Sequence, residues 1–267
     1  MPAGPGWAWL ETPHSPEVTE VPGRKPLPPT VVLVHGAFAD ASSWAGVIRH
    51  LHAAGLTVYA PANPLRGLAH DAAYVRSVVG QIGTPVVLAG HGYGGAVITA
   101  ADADNVVALC YVAGFGLDAG ESLLDVTSRF SPMPGPDPTV AAGLPTRSPG
   151  DPDSELYIRR ERFLDVYATD LAPRVGSVLS VSQRPIARGA LTARSGPPAW
   201  ARKRSWYAIA AADRMLSPTA QRFMAQRMAA TERVVDGSHA VLLSRPDAVA
   251  AMIREAAGQC GDHGALY

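Results

Sequence analysis

Cysteine is scarce in this chain. Only Cys110, inside the apolar run Val106–Val112, and Cys260, in a Gly-flanked tail, occur in 267 residues. That placement fits two unpaired thiols in a reducing compartment rather than a disulfide scaffold. Net charge is missing as well. Lys+Arg and Asp+Glu both number 23, which removes the electrostatic footprint that nucleic acid or an anionic membrane surface would need. No window approaches the ~18 apolar residues of a membrane span, and Met1-Pro2-Ala3-Gly4-Pro5-Gly6 lacks a basic region followed by an apolar stretch. The expectation is a cytoplasmic protein, monomer or homodimer, whose partner is a small-molecule substrate. Metal-ligand spacing is absent too: the eight histidines are scattered, and His50 and His52 would face different sides of a helix. The glycine-rich stretch Gly90–Gly95 lacks both the dinucleotide-binding spacing and the Lys-Ser/Thr ending of a nucleotide loop. No cofactor is expected.

What is present is an alternation of short β-rich runs and longer helical ones. Strands are expected at Val31–Val34, Thr57–Ala60, Val86–Ala89, Val106–Val112, Ser205–Ile209 and Glu232–Val235. Helices are expected between Ser42 and Ala54, His70 and Ile82, Gly94 and Asp102, Thr219 and Ala229, and Pro246 and Ala257. Continuous apolar strands between helices imply a mostly parallel sheet covered on both faces, with strand C-termini along one edge where sites form. A length of 267 residues suits one compound α/β domain. Residues 1–29 carry repeated prolines and read as an extended arm or irregular edge strands. Residues 30–116 and 205–259 read as the core, 117–204 as a helical cap inserted over the site edge, and 260–267 as a tail. Within the cap, the prolines between Ser131 and Asp153 predict a loop. Glu155–Tyr167 has helical spacing of Leu156, Phe163, Leu164 and Tyr167, and Leu171–Val181 and Pro185–Thr192 suit two further short helices.

Four motifs fall at strand ends. His35-Gly36-Ala37-Phe38 follows the first strand, where a turn can aim a backbone N–H at a developing oxyanion. Leu88-Ala89-Gly90-His91-Gly92-Tyr93-Gly94-Gly95 forms a strand-to-helix turn, and the N–H of Tyr93 lies at the helix start. Asp213 follows the strand Ser205–Ile209, and Gly237-Ser238-His239 follows Glu232–Val235. An acid and then a histidine, both downstream of the sharp turn, is a chain order known from hydrolases.

Together these segments resemble the α/β-hydrolase superfamily over roughly residues 30–257. The resemblance is to the branch that contains plant methyl-ester esterases, hydroxynitrile lyases and many bacterial esterase-like proteins. It is carried by Val31–Trp44, the turn Leu88–Gly95, Ala212-Asp213-Arg214, Gln221-Arg222-Phe223 and Gly237-Ser238-His239. It implies an α/β-hydrolase fold with an inserted helical cap, Asp213 orienting and charge-stabilising His239, and Ala37 and Tyr93 supplying oxyanion-hole N–H groups. The turn Leu88–Gly95 corresponds to the nucleophile elbow, where serine is required for acyl-enzyme chemistry. Here that position is Gly92.

The missing hydroxyl excludes covalent acyl transfer and leaves the acid/base pair and the anion site. One reading is an enzyme of lyase, cyclase, isomerase or direct water-attack type, acting in secondary metabolism on a small, largely apolar carbonyl compound with His239 as base or acid. A second is a serine esterase or lactonase whose nucleophile has been replaced at Gly92. A third is a non-catalytic protein that keeps the pocket. In the first reading the space beside Gly92 holds a substrate group or water. His35 and His91 read as structural. Phe38 and Trp200 are candidate substrate contacts, and Phe130, Tyr157, Phe163 and Tyr167 either line the pocket or form the core of the cap.

Overall fold

A computed structural model describes residues 28–130, 137–142 and 154–261. The expected arm up to residue 27, most of the proline-rich loop and the last six tail residues lie outside the described residues. The chain runs β1 (Thr30–Val34), α1 (Ala45–Ala53), β2 (Val58–Tyr59), α2 (Leu68–Val79), β3 (Val86–His91), α3 (Tyr93–Ala100) and β4 (Val106–Val112). After an insertion it resumes with β8 (Arg204–Ala210), α7 (Pro218–Arg227), β9 (Thr231–Val235), α8 (Val241–Ser244) and α9 (Pro246–Gly261). The six core strands form one sheet in the order β2-β1-β3-β4-β8-β9, parallel throughout.

Strand alternation divides the core into two layers. Val32, Val34, Leu88, Leu109, Tyr207 and Ile209 pack against α2, α3 and α7. Val31, Leu33, Val87, Ala89, Cys110 and Trp206 face α1, α8 and α9. Strands buried on both faces require the uninterrupted apolar runs seen in the sequence. The helix α9 continues to Gly261, so Cys260, expected in a tail, sits on its last turn.

The insertion departs from expectation. Its helices α4 (Leu123–Arg129), α5 (Phe163–Val166) and α6 (Pro173–Val181) are accompanied by a three-stranded antiparallel sheet in the order β5-β6-β7: Thr139–Ala142, Glu155–Ile158 and Ile186–Ala187. The segment expected as one helix over Glu155–Tyr167 therefore begins as a strand and becomes helical only at Arg160. Leu156 and Ile158 are buried while Glu155 and Tyr157 are partly exposed, a period of two that the apolar count at helical spacing masked. Pro185–Thr192, expected as a helix, is likewise a short strand followed by a 3-10 turn, Arg188–Leu191. The insertion is tied to the core by Arg227, which bonds Glu121 and the Gly116 carbonyl, and by Arg129, whose guanidinium lies 4.4 Å from the ring centre of Phe223.

Because β1 and β3 are neighbours and the chain leaves them in opposite directions across the sheet, the loops after them face each other across a topological switch point. The turn between β3 and α3 packs directly on β1: a Cβ on Gly94 would collide with the backbone carbonyl of Val34. Backbone cannot yield as a flexible side chain does. Gly94→Ala is expected to destabilise the protein by about 1–3 kcal/mol or more, read as a lower urea midpoint, whereas an unchanged midpoint would mean that β1 and α3 are not in contact.

Candidate active site

The four strand-end motifs converge at the C-terminal edge of the sheet. Asp213 lies in the loop after β8 and His239 in the loop after β9, and their side chains meet with His239 Nδ1 2.7 Å from Asp213 Oδ2. Both are buried, Asp213 at 5% exposure and His239 at 6%. A carboxylate can only accept, so the neutral imidazole carries its proton on Nδ1 and leaves a lone pair on Nε2. The carboxylate is enclosed by donors. Oδ1 accepts from the N–H groups of Met215 at 2.7 Å and Leu216 at 2.9 Å, and Oδ2 also accepts from Gln221 Nε2 at 2.8 Å. Gln221 is itself fixed by the Leu216 carbonyl and the Ala210 N–H.

The backbone of His239 is held from two further sides. His91 Nε2 donates to the His239 carbonyl at 2.8 Å, and the two rings lie 4.7 Å apart. The next residue, Ala240, donates its N–H to the Tyr167 carbonyl of the insertion, and the Tyr167 ring stands edge-on to His239 at 5.1 Å. Ser238 Oγ donates to Asp170 at 2.5 Å, and the Ser238 N–H bonds the same carboxylate. Burial alone would push Asp170 up, but these Ser238 bonds hold its carboxyl below the usual carboxylate range.

Gly92 caps α3 with φ 53 and ψ −121, a backbone conformation that strains any L side chain. A Cβ placed there would lie 3.0 Å from His239 Nε2. The imidazole edge thus occupies part of the room a serine would need, and the opening beside Gly92 is narrower than a simple deletion of a side chain would leave. Across from it, Ala37 follows the β1 turn and Tyr93 begins α3, where a first-turn N–H has no acceptor in its own helix. The Tyr93 hydroxyl is anchored by donation to Asp71 at 2.7 Å. Asp71 is fully buried and also accepts the N–H groups of Arg66 and Gly67.

Ala37, Phe38, Tyr93 and His239 line a cavity of about 390 Å³, whose remaining wall comes mainly from apolar residues of the insertion and the β8–α7 segment. Phe130 lines it as well. Trp200, expected as a substrate contact, does not: its indole donates to the Leu117 carbonyl at 2.9 Å beneath the insertion. Phe163 and Tyr167 pack in the insertion's own core, and Tyr157 bonds Glu155 away from the cavity. His35 is structural, accepting the Asn63 N–H at Nε2 and donating from Nδ1 to the Gly36 carbonyl.

Three polar positions escaped the sequence reading: Asp71, Asp170 and the role of Gln221. Asp71 had a readable signal, since it shares the apolar face of α2 with Leu68 and Val75 at helical spacing. Gln221 likewise precedes Met224 by three residues on the buried face of α7. A polar side chain on an apolar stripe must be satisfied by partners. Asp170 had no such signal, because its partner lies in a different loop.

The alpha/beta hydrolase family model matches residues 31–252. No protein of curated function matches the chain in sequence. Among solved structures, polyneuridine aldehyde esterase superposes with a TM-score of 0.73 at 17% identity, covering 86% of this chain and 99% of that one. Tomato methylketone synthase I complexed with 2-tridecanone gives 0.71 at 15% identity, over 87% and 99%. An extracellular alpha/beta-hydrolase from a Paenibacillus species gives 0.68 at 17% identity, over 86% and 99%. Among the described residues no helix is long and apolar enough to cross a membrane.

Burial holds the imidazoles of His35 and His91 below the ordinary value of 6.5, and the neighbouring His239 lowers His91 further. Below pH 6.5 the unfolded chain takes up protons that the folded one refuses, so folding stability falls as pH falls. The slope from these two groups is at most about 2.7 kcal/mol per pH unit. Urea midpoints measured at pH 7.5, 6.5 and 5.5 should decrease in that order, and equal midpoints would place both rings in water.

Proposed function

The chain belongs to the alpha/beta hydrolase family, and we propose that it is an enzyme of that family which works without a nucleophilic serine. In this reading His239, oriented by Asp213, transfers protons, and the N–H groups of Ala37 and Tyr93 stabilise the oxyanion of a small, largely apolar carbonyl substrate. The observation that carries it is the placement of His239 Nε2. Its partner nitrogen is committed to Asp213, no hydrogen bond reaches Nε2 among the described residues, and it lies 3.0 Å from the position a residue-92 Cβ would take. A base that in a serine enzyme would be spent on a hydroxyl faces the cavity directly.

The chemistry follows from that geometry. Nε2 accepts a proton from the carbon next to the substrate carbonyl, so a C–H bond breaks and an N–H bond forms. The electron pair moves to the carbonyl oxygen, where two N–H donors meet the new charge. Asp213 stabilises the imidazolium without taking its proton. The proton then returns from Nε2 to carbon or to a departing group, which gives isomerase, cyclase or lyase outcomes. Alternatively the same nitrogen activates a water. The mainly apolar wall of the cavity supports a hydrocarbon-rich substrate body, and the ketone in the tomato methylketone synthase complex is a ligand of that chemistry.

A second reading, a serine esterase or lactonase whose nucleophile has been replaced at Gly92, is favoured by the otherwise complete set of acid, histidine and N–H donors. Proton exchange separates the two. In deuterium oxide the protein should speed exchange of the protons flanking the carbonyl of 2-octanone, and His239→Gln should lower that rate about 10²–10⁴-fold. Gly92→Ser should lose roughly 1–3 kcal/mol of stability through its positive φ. It should not approach the ~10⁶-fold catalysis of a complete triad on p-nitrophenyl acetate. Strong ester cleavage by Gly92→Ser, with no exchange by the unaltered protein, would establish the esterase reading. The absence of both would leave a binding protein.

A further inference from the structure

The cavity has a buried floor and an exposed rim of different chemistry. The floor carries His239, at 6% exposure, while Leu124 on the rim is 50% exposed. Around that rim stand Thr127 and Ser128 of α4, Asp137 just before β5, and Thr139 at the start of β5. We propose that this rim is a recognition site for a hydrogen-bond-donating, cationic group, so that the substrate is an apolar carbonyl compound bearing an ammonium end. This rests on the cavity being the substrate site proposed above and names the substrate's far end.

The donor inventory of the rim decides its polarity. Thr127 Oγ1 gives its proton to the carbonyls of Leu123 and Leu124 at 3.1 and 3.2 Å. Thr139 Oγ1 gives its proton to Asp137 Oδ1 at 2.8 Å, and the Thr139 N–H bonds the same oxygen. Both hydroxyls therefore offer only lone pairs to a ligand. Among the described residues Asp137 Oδ2 has no bond, and none of those that line the cavity is Lys or Arg. Among the described rim residues Ser128 keeps a hydroxyl free to do either. Three groups that accept and do not donate, one of them a carboxylate, select an ammonium and repel a carboxylate. The apolar walls between rim and floor then demand a hydrocarbon body, and the carbonyl reaches His239.

The test uses three probes of equal chain length: 8-amino-2-octanone, 2-octanone and 7-oxooctanoate, titrated calorimetrically into the full chain at neutral pH. The amine should bind about tenfold or more tightly than the oxo acid, the range left to a charge-assisted bond at an exposed rim. Asp137→Asn retains the acceptor that holds the Thr139 turn, so the fold should persist. In that variant the preference should fall toward parity while 2-octanone binding stays constant. An oxo acid that binds as tightly as the amine, a preference unchanged in Asp137→Asn, or failure of all three to bind would overturn the proposal. The preference persisting without His239-dependent proton exchange would support the rim site and refute the catalytic role given to His239.

Discussion

The hydrogen bond from His239 Nδ1 to Asp213 Oδ2 is the constraint on which the rest of the site depends. Asp213 is a buried carboxylate, and an unsatisfied one would shift its chemistry or the fold. Four donors surround it: two backbone N–H groups of its own loop, Gln221 and the imidazole. Three of them come from the segment that follows β8, and the imidazole fills the fourth position. The imidazole has one tautomer compatible with that cage, and this fixes which nitrogen faces the cavity.

Around this bond the sheet edge and the insertion act as a frame. His91 supports His239 from below through its carbonyl, and the Tyr167–Asp170 segment grips the residues on either side of it. The absence of a side chain at residue 92 lets the imidazole approach closer to the elbow than a serine Cβ would permit. The elbow's backbone geometry is retained because glycine adopts φ 53 without strain. The same turn that would present a nucleophile instead presents the N–H of Tyr93 and a space bordered by the His239 imidazole. Asp71 completes that arrangement by anchoring the Tyr93 ring from α2.

Much of this was legible in the sequence. The continuous apolar runs of β1, β3, β4 and β8 announce strands covered on both faces, and the motifs at their ends predict where His35, Gly92, Asp213 and His239 stand. The insertion was harder to read for a physical reason. Leu156, Phe163, Leu164 and Tyr167 satisfy a helical period only when strand and helix are joined into one window, and β6 owes its form to pairing with β5 and β7 rather than to local propensity. Trp200 looked like an aromatic pocket wall, yet its indole N–H is satisfied by the Leu117 carbonyl, a tertiary contact without a local signature. Asp170 acts across loops for the same reason and left no periodic trace.

The most direct test of the central claim is the tautomer of His239, read from the nitrogen-15 shifts and long-range proton couplings of its neutral imidazole. The account predicts a proton on Nδ1, in the strongly deshielded range of a hydrogen bond to carboxylate, and an unprotonated Nε2 whose shift responds when 2-octanone is added. A proton on Nε2, or an Nε2 resonance unmoved by the ketone, would contradict it.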